Sequence, residues 1–216
     1  WSEGRTLLGY NNNQNRSLME EFSGRPYVNV KTSFYSLLPS TINTKIQKKL
    51  INYFLKKLEK NPYLHDKVEF EILFTCYDFT LKKRMEDLIN YGFTRTEIKI
   101  IKNQLIDFTN ELIKKTPDIL KQTVSFLKIL DDKRKESRDK ISDYKSKLSN
   151  AETLLKNCKK YGVVQFTAVA RLAFIANILL NGLTEISNIK KLEIDKFMNS
   201  ISTPVTEFQN DLYNLE

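Results

Sequence analysis

The sequence predicts a mainly α-helical protein, a single compact helical domain with one short extended segment near residues 26–31. Two observations lead to this fold class. Apolar residues recur at three- and four-residue intervals through most of the chain, which is the spacing of amphipathic helices. The apolar-polar alternation of a strand is convincing over only one short run. With 216 residues, 41% of them hydrophobic, the chain can bury a full core as one domain, 1–216.

The first 60 residues divide into an irregular part, an extended run and a helix. Residues 1–23 are polar and asparagine-rich, so we expect an irregular or marginally helical segment that ends at Gly24. After Pro26, the run 27–31 alternates apolar and polar residues and forms the predicted extended segment. Thr41 or Asn43 can cap a helix that runs to about residue 60, where Asn-Pro ends it. Its predicted inward face consists of Ile46, Leu50, Tyr53, Phe54 and Leu58.

The stretch 63–78 mixes titratable and apolar residues and allows two interpretations. It holds His65, the only histidine, and apolar residues alternate with others after it, which fits a strand. Its length and its helical neighbours instead favour a helix with Val68, Ile72 and Tyr77 inward. We expect the helix.

Further helices follow in the middle of the chain. The run 81–91 predicts a short amphipathic helix that Gly92 ends. Thr94 or Thr96 begins the next helix, and Pro117 suits the first turn of another. The predicted inward positions of these two helices are Ile98, Ile101, Leu105, Phe108 and Leu112, and then Leu120, Val124, Leu127 and Leu130.

Residues 131–140 contain no apolar side chain, which is typical of an exposed turn or the tip of a protruding helical hairpin. The apolar pattern resumes at Ile141, Tyr144 and Leu148, and Ser149 can cap a helix that ends before Gly162.

The run 163–180 is nearly continuously apolar. Arg171 in its middle strongly disfavours a membrane span, so the run predicts a central helix that is buried all round. A last helical segment covers 190–215, with Pro204 as a kink or a break.

Charge and cysteine content restrict the function classes. The net charge of +9 can attract nucleic acid, anionic lipid or phosphorylated small molecules. Acidic residues are interleaved with the basic ones between residues 114 and 147, which indicates a solvated helix face and disfavours a nucleic-acid surface. Cys76 and Cys158 are far apart, so we expect two buried, inert thiols in a reducing, cytoplasmic compartment. A single histidine disfavours a metal site.

Motifs for common chemistry are missing from the sequence, which has neither a glycine-rich phosphate loop nor an H-E-x-x-H or G-x-S-x-G motif. Arg171 therefore stands out, because an arginine in so apolar a helix requires an anionic partner. It either forms a structural pair with Glu69 or Glu71, or it anchors a ligand through its bidentate guanidinium. Taken singly, His65 is typical of a hydrogen-bonded residue at a helix start.

Four segments, in order, resemble motifs of phosphoenolpyruvate-synthase-like proteins. They are GRPYVNVK at 24–31, LHDKVEFEI at 64–72, CKKYG at 158–162 with the following F, AR and FIA, and FMNS at 197–200. The combination is most similar to the glutamine-kinase-like branch of capsule (sugar-cluster) loci. The first twenty residues match poorly.

The resemblance implies a role for this chain within a larger enzyme. In such proteins an ATP-grasp domain phosphorylates a histidine on a swivelling domain, and the phosphohistidine then moves to an acceptor site. Nothing here resembles the ATP-grasp domain, and His65 lies outside the context of the swivelling histidine. We therefore expect a central, acceptor-side domain cut from a longer chain, with those two domains as partners and with a small-molecule acceptor such as L-glutamine. ATP and Mg²⁺ would serve the full-length enzyme, and this domain would bind no cofactor and no membrane.

The resemblance and the residue chemistry together predict a substrate-binding set without a catalytic residue. Positioning and charge neutralisation dominate phosphoryl transfer. We expect Arg25, Lys31 and Arg171 to handle anions, and His65, Asp66, Glu69 and Glu71 to act as polar or acid–base groups around the acceptor. Two alternatives stay open: a non-catalytic helical interaction module that uses the tip at 131–140, and a basic nucleic-acid-binding domain.

Overall fold

The fold class is confirmed: a computed structural model shows a mainly helical protein with one two-stranded sheet in the part of the chain that it describes. The description covers residues 1–13, 16–138, 143–203, 207, 208 and 211. Its helices are α1 (Ser2–Leu7), α2 (Val30–Tyr35), α3 (Thr44–Lys60), α4 (Leu81–Met85), α5 (Arg95–Arg138), α6 (Tyr144–Asn157), α7 (Val164–Ile186) and α8 (Lys191–Ser200). Its strands are β1 (Met19–Phe22) and β2 (Arg25–Val28).

The segment 1–23 was expected to be irregular or marginally helical; the short helix α1 agrees with this, but the strand β1 was not expected. Strand β1 pairs antiparallel with β2 around a turn at Ser23 and Gly24, which both have positive φ. The extended segment is confirmed for residues 26–28. It ends at Asn29, whose side chain accepts a hydrogen bond from the Thr32 N–H and so caps α2.

Helix α3 begins and ends as the sequence predicts. The Asn43 side chain accepts from the Lys45 N–H at the start, and Asn61-Pro62 follows the last turn. Of the predicted inward face, four residues are buried and Leu58 is partly buried. The face joins the first core cluster, which also contains Phe34, Leu37, Leu38, Ile42, Ile51, Ile72, Leu73, Phe74, Leu81, Met85, Leu88, Phe93, Ile101 and Leu105.

The stretch 63–78 forms neither the strand nor the continuous helix that were weighed for it. A 3₁₀ turn covers Pro62–Leu64, and one π-helical turn covers Val68–Ile72. Leu73 then turns extended, with φ −86° and ψ 157°. Every residue from Ile72 to Cys76 is buried. The extended backbone therefore passes through the core rather than along a sheet.

Gly92 adopts the predicted left-handed conformation, with φ 80°, after α4 and the 3₁₀ turn Glu86–Tyr91. The sequence predicted that a new helix begins at Pro117. Instead, helix α5 continues through this proline. Proline removes one backbone donor, which the continuous helix tolerates. The inward stripe predicted after Pro117 is also wrong, since Leu120, Val124 and Leu127 are exposed.

Helices α5 and α6 pack as a helical hairpin, one of the two alternatives predicted for 131–140. Residues 131–138 are the last turns of α5, and the connection at 139–142, with Ile141, lies outside the described residues. Helix α6 begins earlier than at Ser149, because Asp143 and Ser146 form a capping box. Asn150 donates to the Ser137 carbonyl (3.1 Å) across the hairpin. Tyr144 and Leu148, expected to resume the apolar pattern, are exposed.

One continuous helix runs from α6 through a π-helical segment, Cys158–Val163, into α7. By length and composition alone this helix, Tyr144–Ile186, could cross a membrane, and a core helix passes the same test. Only 28% of its most apolar window is buried inside the protein.

The expectation that α7 is buried all round is wrong. Its buried face carries Gln165, Thr167 and Arg171 beside small or apolar residues, while Phe166 and Phe174 are exposed. Gln165 and Arg171 find hydrogen-bond partners on neighbouring parts of the fold, whereas the Thr167 hydroxyl donates to the Val163 carbonyl of its own helix (2.8 Å).

The second core cluster lies where α1, α5 and α7 meet. Its buried members are Leu8, Tyr10, Cys76, Phe108, Leu112, Ala168 and Ile175. Cys76 is buried as expected, but Cys158 is exposed, which corrects the expectation of two buried thiols. Helix α8 ends at Ser200, and residues 207, 208 and 211 are again helical. Pro204, the predicted kink or break, lies outside the described residues.

Candidate functional site

Arg171 forms the centre of a buried polar cluster. Its Nη1 contacts the Glu69 carboxylate in an ion pair, its Nη2 donates to Thr75 Oγ1 (2.6 Å), and its Nε donates to the Tyr10 hydroxyl (3.3 Å). The side chain is only 3% exposed. Each of the three guanidinium nitrogens therefore has a protein partner, and the predicted pairing with Glu69 or Glu71 is confirmed for Glu69.

Four separate parts of the chain supply this cluster. Arg171 comes from the inward face of α7, Glu69 from the π-helical turn, and Thr75 from the extended backbone that follows it. Tyr10 follows α1, and its hydroxyl also donates to the Thr75 carbonyl (2.9 Å). The two hydrogen bonds of Tyr10 fix its ring edge-on to Phe108 in the second core cluster (centroids 4.9 Å apart).

A second buried guanidinium lies beside this cluster. Arg5, 8% exposed, donates to the Ser36 hydroxyl, and among the described residues it forms no ion pair. Burial, together with the positive charge of Arg171, lowers the pKa of Arg5 to about 10. Arg5 and Arg171 thus bring two guanidinium groups together with one carboxylate, that of Glu69.

Burial also raises the pKa of two nearby acidic groups, so that they stay protonated well into the alkaline range. It raises the pKa of Tyr10 to about 12, although the charge of Arg171 opposes this. Burial, together with the negative charge of Asp78, raises the pKa of the Cys76 thiol to about 12. Because a thiol reacts as the thiolate, Cys76 is inert here, as the sequence predicted.

Glu69 is the point at which the cluster reaches the surface, since its side chain is 20% exposed. The other predicted polar residues of this stretch, His65, Asp66 and Glu71, are exposed around it. The His65 Nδ1 lies 3.2 Å from the Pro62 carbonyl, which fits a hydrogen-bonded residue at a turn. The structure therefore brings together only Glu69 and Arg171 through a direct contact.

Lys31 and Arg25 lie elsewhere. Arg25 is exposed on β2. Lys31, exposed on α2, lines a cavity of about 560 Å³. The walls of this cavity are α2, α3 and the segment that follows α1. The lining residues are Asn12, Asn13, Arg16, Lys31, Tyr35, Thr44, Gln47, Lys48, Ile51 and Asn52.

Sequence reasoning missed most of this cavity and most of the Arg171 cluster. Tyr10, Thr75 and Arg5 belong to no recognisable sequence motif. The sequence indicated only that a buried Arg171 must have polar partners, without indicating which residues these are. The asparagine-rich run indicated an irregular segment, and it gave no sign that Asn12 and Asn13 line a cavity. No group of three His, Cys, Asp or Glu in the described ranges could hold a metal ion.

Comparisons with known proteins give no family for this chain: no protein-family model, no curated protein and no solved structure matches it.

Proposed function

We propose that this chain is the acceptor-side domain of an ATP-dependent phosphotransferase that works through a phosphohistidine on a separate swivelling domain. The observation that supports this proposal is the ion pair between Glu69 and Arg171. It joins two of the four segments on which the resemblance to phosphoenolpyruvate-synthase-like proteins rests. Such a contact is expected if these segments build one functional unit.

The exposed surface around Glu69 offers groups that can orient or deprotonate an acceptor. A phosphoryl group delivered by a mobile domain needs an open surface, and His65, Asp66 and Glu71 are all exposed there. Arg171 acts as a positioning residue, because it holds the Glu69 carboxylate from beneath. Glu69 would then orient the acceptor or accept its proton, which are ordinary tasks for a carboxylate in group transfer.

The remaining parts of the reaction belong, on this proposal, to other domains of the same polypeptide. ATP and Mg²⁺ serve the ATP-grasp domain, and the histidine that becomes phosphorylated lies on the swivelling domain. L-glutamine is the proposed acceptor in the glutamine-kinase-like branch.

Labelling of the complete polypeptide with [γ-³²P]ATP tests this proposal. We expect an acid-labile label on a histidine, and the label should persist in His65→Ala, since His65 is the only histidine in these 216 residues. A complete polypeptide that takes up no label would contradict the proposal. So would a label that disappears in His65→Ala.

A second candidate, a helical interaction module, is favoured by one observation on the α5–α6 hairpin. Leu120, Val124 and Leu127 form an exposed apolar stripe on α5. If the stripe contacts another domain, backbone amides of 120–127 exchange hydrogen more slowly in the complete polypeptide than in this chain alone. Equal exchange rates would exclude such a contact.

A further inference from the structure

The cavity that Lys31 lines, between α2, α3 and the segment that follows α1, has the size of a small-molecule site. Its volume of about 560 Å³ falls within the range of about 300–1,000 Å³ that is typical of ligand pockets. It shares no lining residue with the Arg171 cluster. In the sequence a single residue, Asn11, separates Tyr10, which contacts Arg171, from Asn12, which lines the cavity.

Positive charge dominates the wall of this cavity. Arg16, Lys31 and Lys48 line it, and no aspartate or glutamate does. In the described part of the chain none of these three cations takes part in an ion pair. Three unneutralised cations around one concave surface attract an anion.

Asn13 provides a second, independent observation. Its side chain is 6% exposed, and its Nδ2 donates to the Thr32 carbonyl (3.3 Å), which fixes the orientation of the amide. Its Oδ1 is buried and has no donor among the described residues. A buried acceptor without a donor is costly, so this atom favours a ligand with an O–H or N–H group.

The polar floor of the cavity is held in place by the protein itself. The Gln47 Nε2 donates to Asn11 Oδ1 (3.2 Å) and to the Pro39 carbonyl (3.2 Å). The Asn11 Nδ2 donates to the Tyr35 carbonyl (3.1 Å). These bonds tie the asparagine segment to α2 and α3 and so preorganise the site before a ligand arrives.

We propose that this cavity binds a small molecule that carries a phosphoryl or carboxylate anion beside a hydroxyl or amino group. Arg16, Lys31 and Lys48 hold the anion, and Asn13 Oδ1 accepts a hydrogen bond from the neighbouring donor. Lys31 thereby belongs to a site distinct from that of Arg171 and Glu69. The inference is independent of the proposed phosphotransferase role.

Calorimetric titration of this chain at low ionic strength tests the anion part, with glycerol 3-phosphate, inorganic phosphate, succinate and glycerol as probes. We expect glycerol 3-phosphate, which has a hydroxyl beside its anion, to bind and glycerol, which has no anion, not to bind. Weaker binding of inorganic phosphate or of succinate, which lack that donor, shows whether the three cations prefer a phosphoryl or a carboxylate anion. Lys31→Ala and Lys48→Ala should each weaken binding by about fivefold, the effect of losing one partly exposed charge contact. Lys45→Ala is the matched control, because Lys45 is exposed on α3, the helix that carries Lys48, and does not line the cavity.

The donor part is tested by comparing two phosphates in the same titration. Wild-type protein should bind glycerol 3-phosphate more tightly than inorganic phosphate, and Asn13→Ala should remove this preference. Asn13→Ser, a smaller change that keeps an acceptor, should retain part of it if Asn13→Ala fails to fold. The proposal is overturned if no anion binds, if Lys45→Ala weakens binding as much as Lys48→Ala, or if the folded Asn13 variants keep the full preference.

Discussion

Glu69 and Arg171, 102 positions apart in the chain, form an ion pair that ties the π-helical turn before α4 to the middle of α7. The two partners are unequally buried, since the guanidinium side chain is 3% exposed and the carboxylate side chain 20%. Loss of the carboxylate would leave a buried positive charge next to Arg5, whereas loss of the arginine would leave a carboxylate that water can reach. The two single substitutions should therefore differ.

Breaking this pair from the carboxylate side should be strongly destabilising. We expect Glu69→Gln to lower the free energy of unfolding by about 3 kcal/mol, the effect of an uncompensated buried charge. Adding Arg171→Met should recover part of the loss, because an apolar side chain then replaces the buried charge. Urea unfolding of both single variants and the double variant measures the coupling. Purely additive losses would show that the pair contributes no coupling.

An exposed ion pair in the same protein provides the control. Glu111 and Lys114 lie 3.0 Å apart on the surface of α5, and both side chains are more than half exposed. We expect Glu111→Gln to leave the unfolding midpoint in urea unchanged, because water and salt screen such pairs.

The buried thiol of Cys76 should make the protein less stable at alkaline pH. Its pKa rises from the ordinary value of 9.0 to about 12 on folding, so between these values the unfolded chain loses a proton that the folded protein keeps. This contribution is complete below pH 9 and is lost as the pH rises towards 12. From pH 9 to 10 it should remove about 1 kcal/mol of unfolding free energy.

Comparison with cysteine variants isolates this effect from that of Arg5, whose pKa of about 10 lies in the same range. Cys76→Ala should show a shallower fall in stability from pH 9 to 10 than the wild type. Cys158→Ala is the matched control and should keep the wild-type slope, because Cys158 is exposed. Equal slopes in wild type and Cys76→Ala would exclude a raised thiol pKa.

Close packing of α1 on α7 depends on Gly4. A Cβ atom at this position would lie 2.7 Å from the Thr167 Cβ and 2.7 Å from the Val164 carbonyl oxygen. Gly4→Ala should therefore push the helices apart and cost about 2 kcal/mol, as overpacking typically does. Thermal unfolding measures the loss, with Glu3→Ala, exposed in the same turn, as the control. A melting temperature equal to that of the control would contradict this packing.

Local signals in the sequence predicted the ends of those helices that are bounded by a capping residue, a proline or a glycine. Helix α3 is bounded by Asn43 and by Asn61-Pro62, and Gly92 ends the helical turn before it, because caps and prolines act within one turn. Pro117 was misleading, since the rest of a 44-residue helix tolerates one missing backbone donor.

Features that depend on distant partners could be predicted only in part. The apolar composition of 163–180 suggested burial on all sides, but the buried face of α7 is decided by which residues find partners, such as Arg171 with Tyr10 and Thr75. That Arg171 requires an anion follows from its chemistry alone, and the sequence offered Glu69 and Glu71 as equal choices. The fold selects Glu69 because the π-helical turn leaves Glu71 exposed.

The central claim is that the surface around Glu69 receives a phosphoryl group for an acceptor. A chase experiment on the complete polypeptide tests it most directly: the protein is labelled with [γ-³²P]ATP, L-glutamine is added, and loss of the histidine label is followed over time. We predict that Glu69→Gln is labelled like the wild type but loses its label at least tenfold more slowly, as is usual when an acid–base group is removed. Glu59→Gln, an exposed carboxylate on α3, should behave like the wild type. Discharge of the folded Glu69→Gln variant at the wild-type rate would contradict the account.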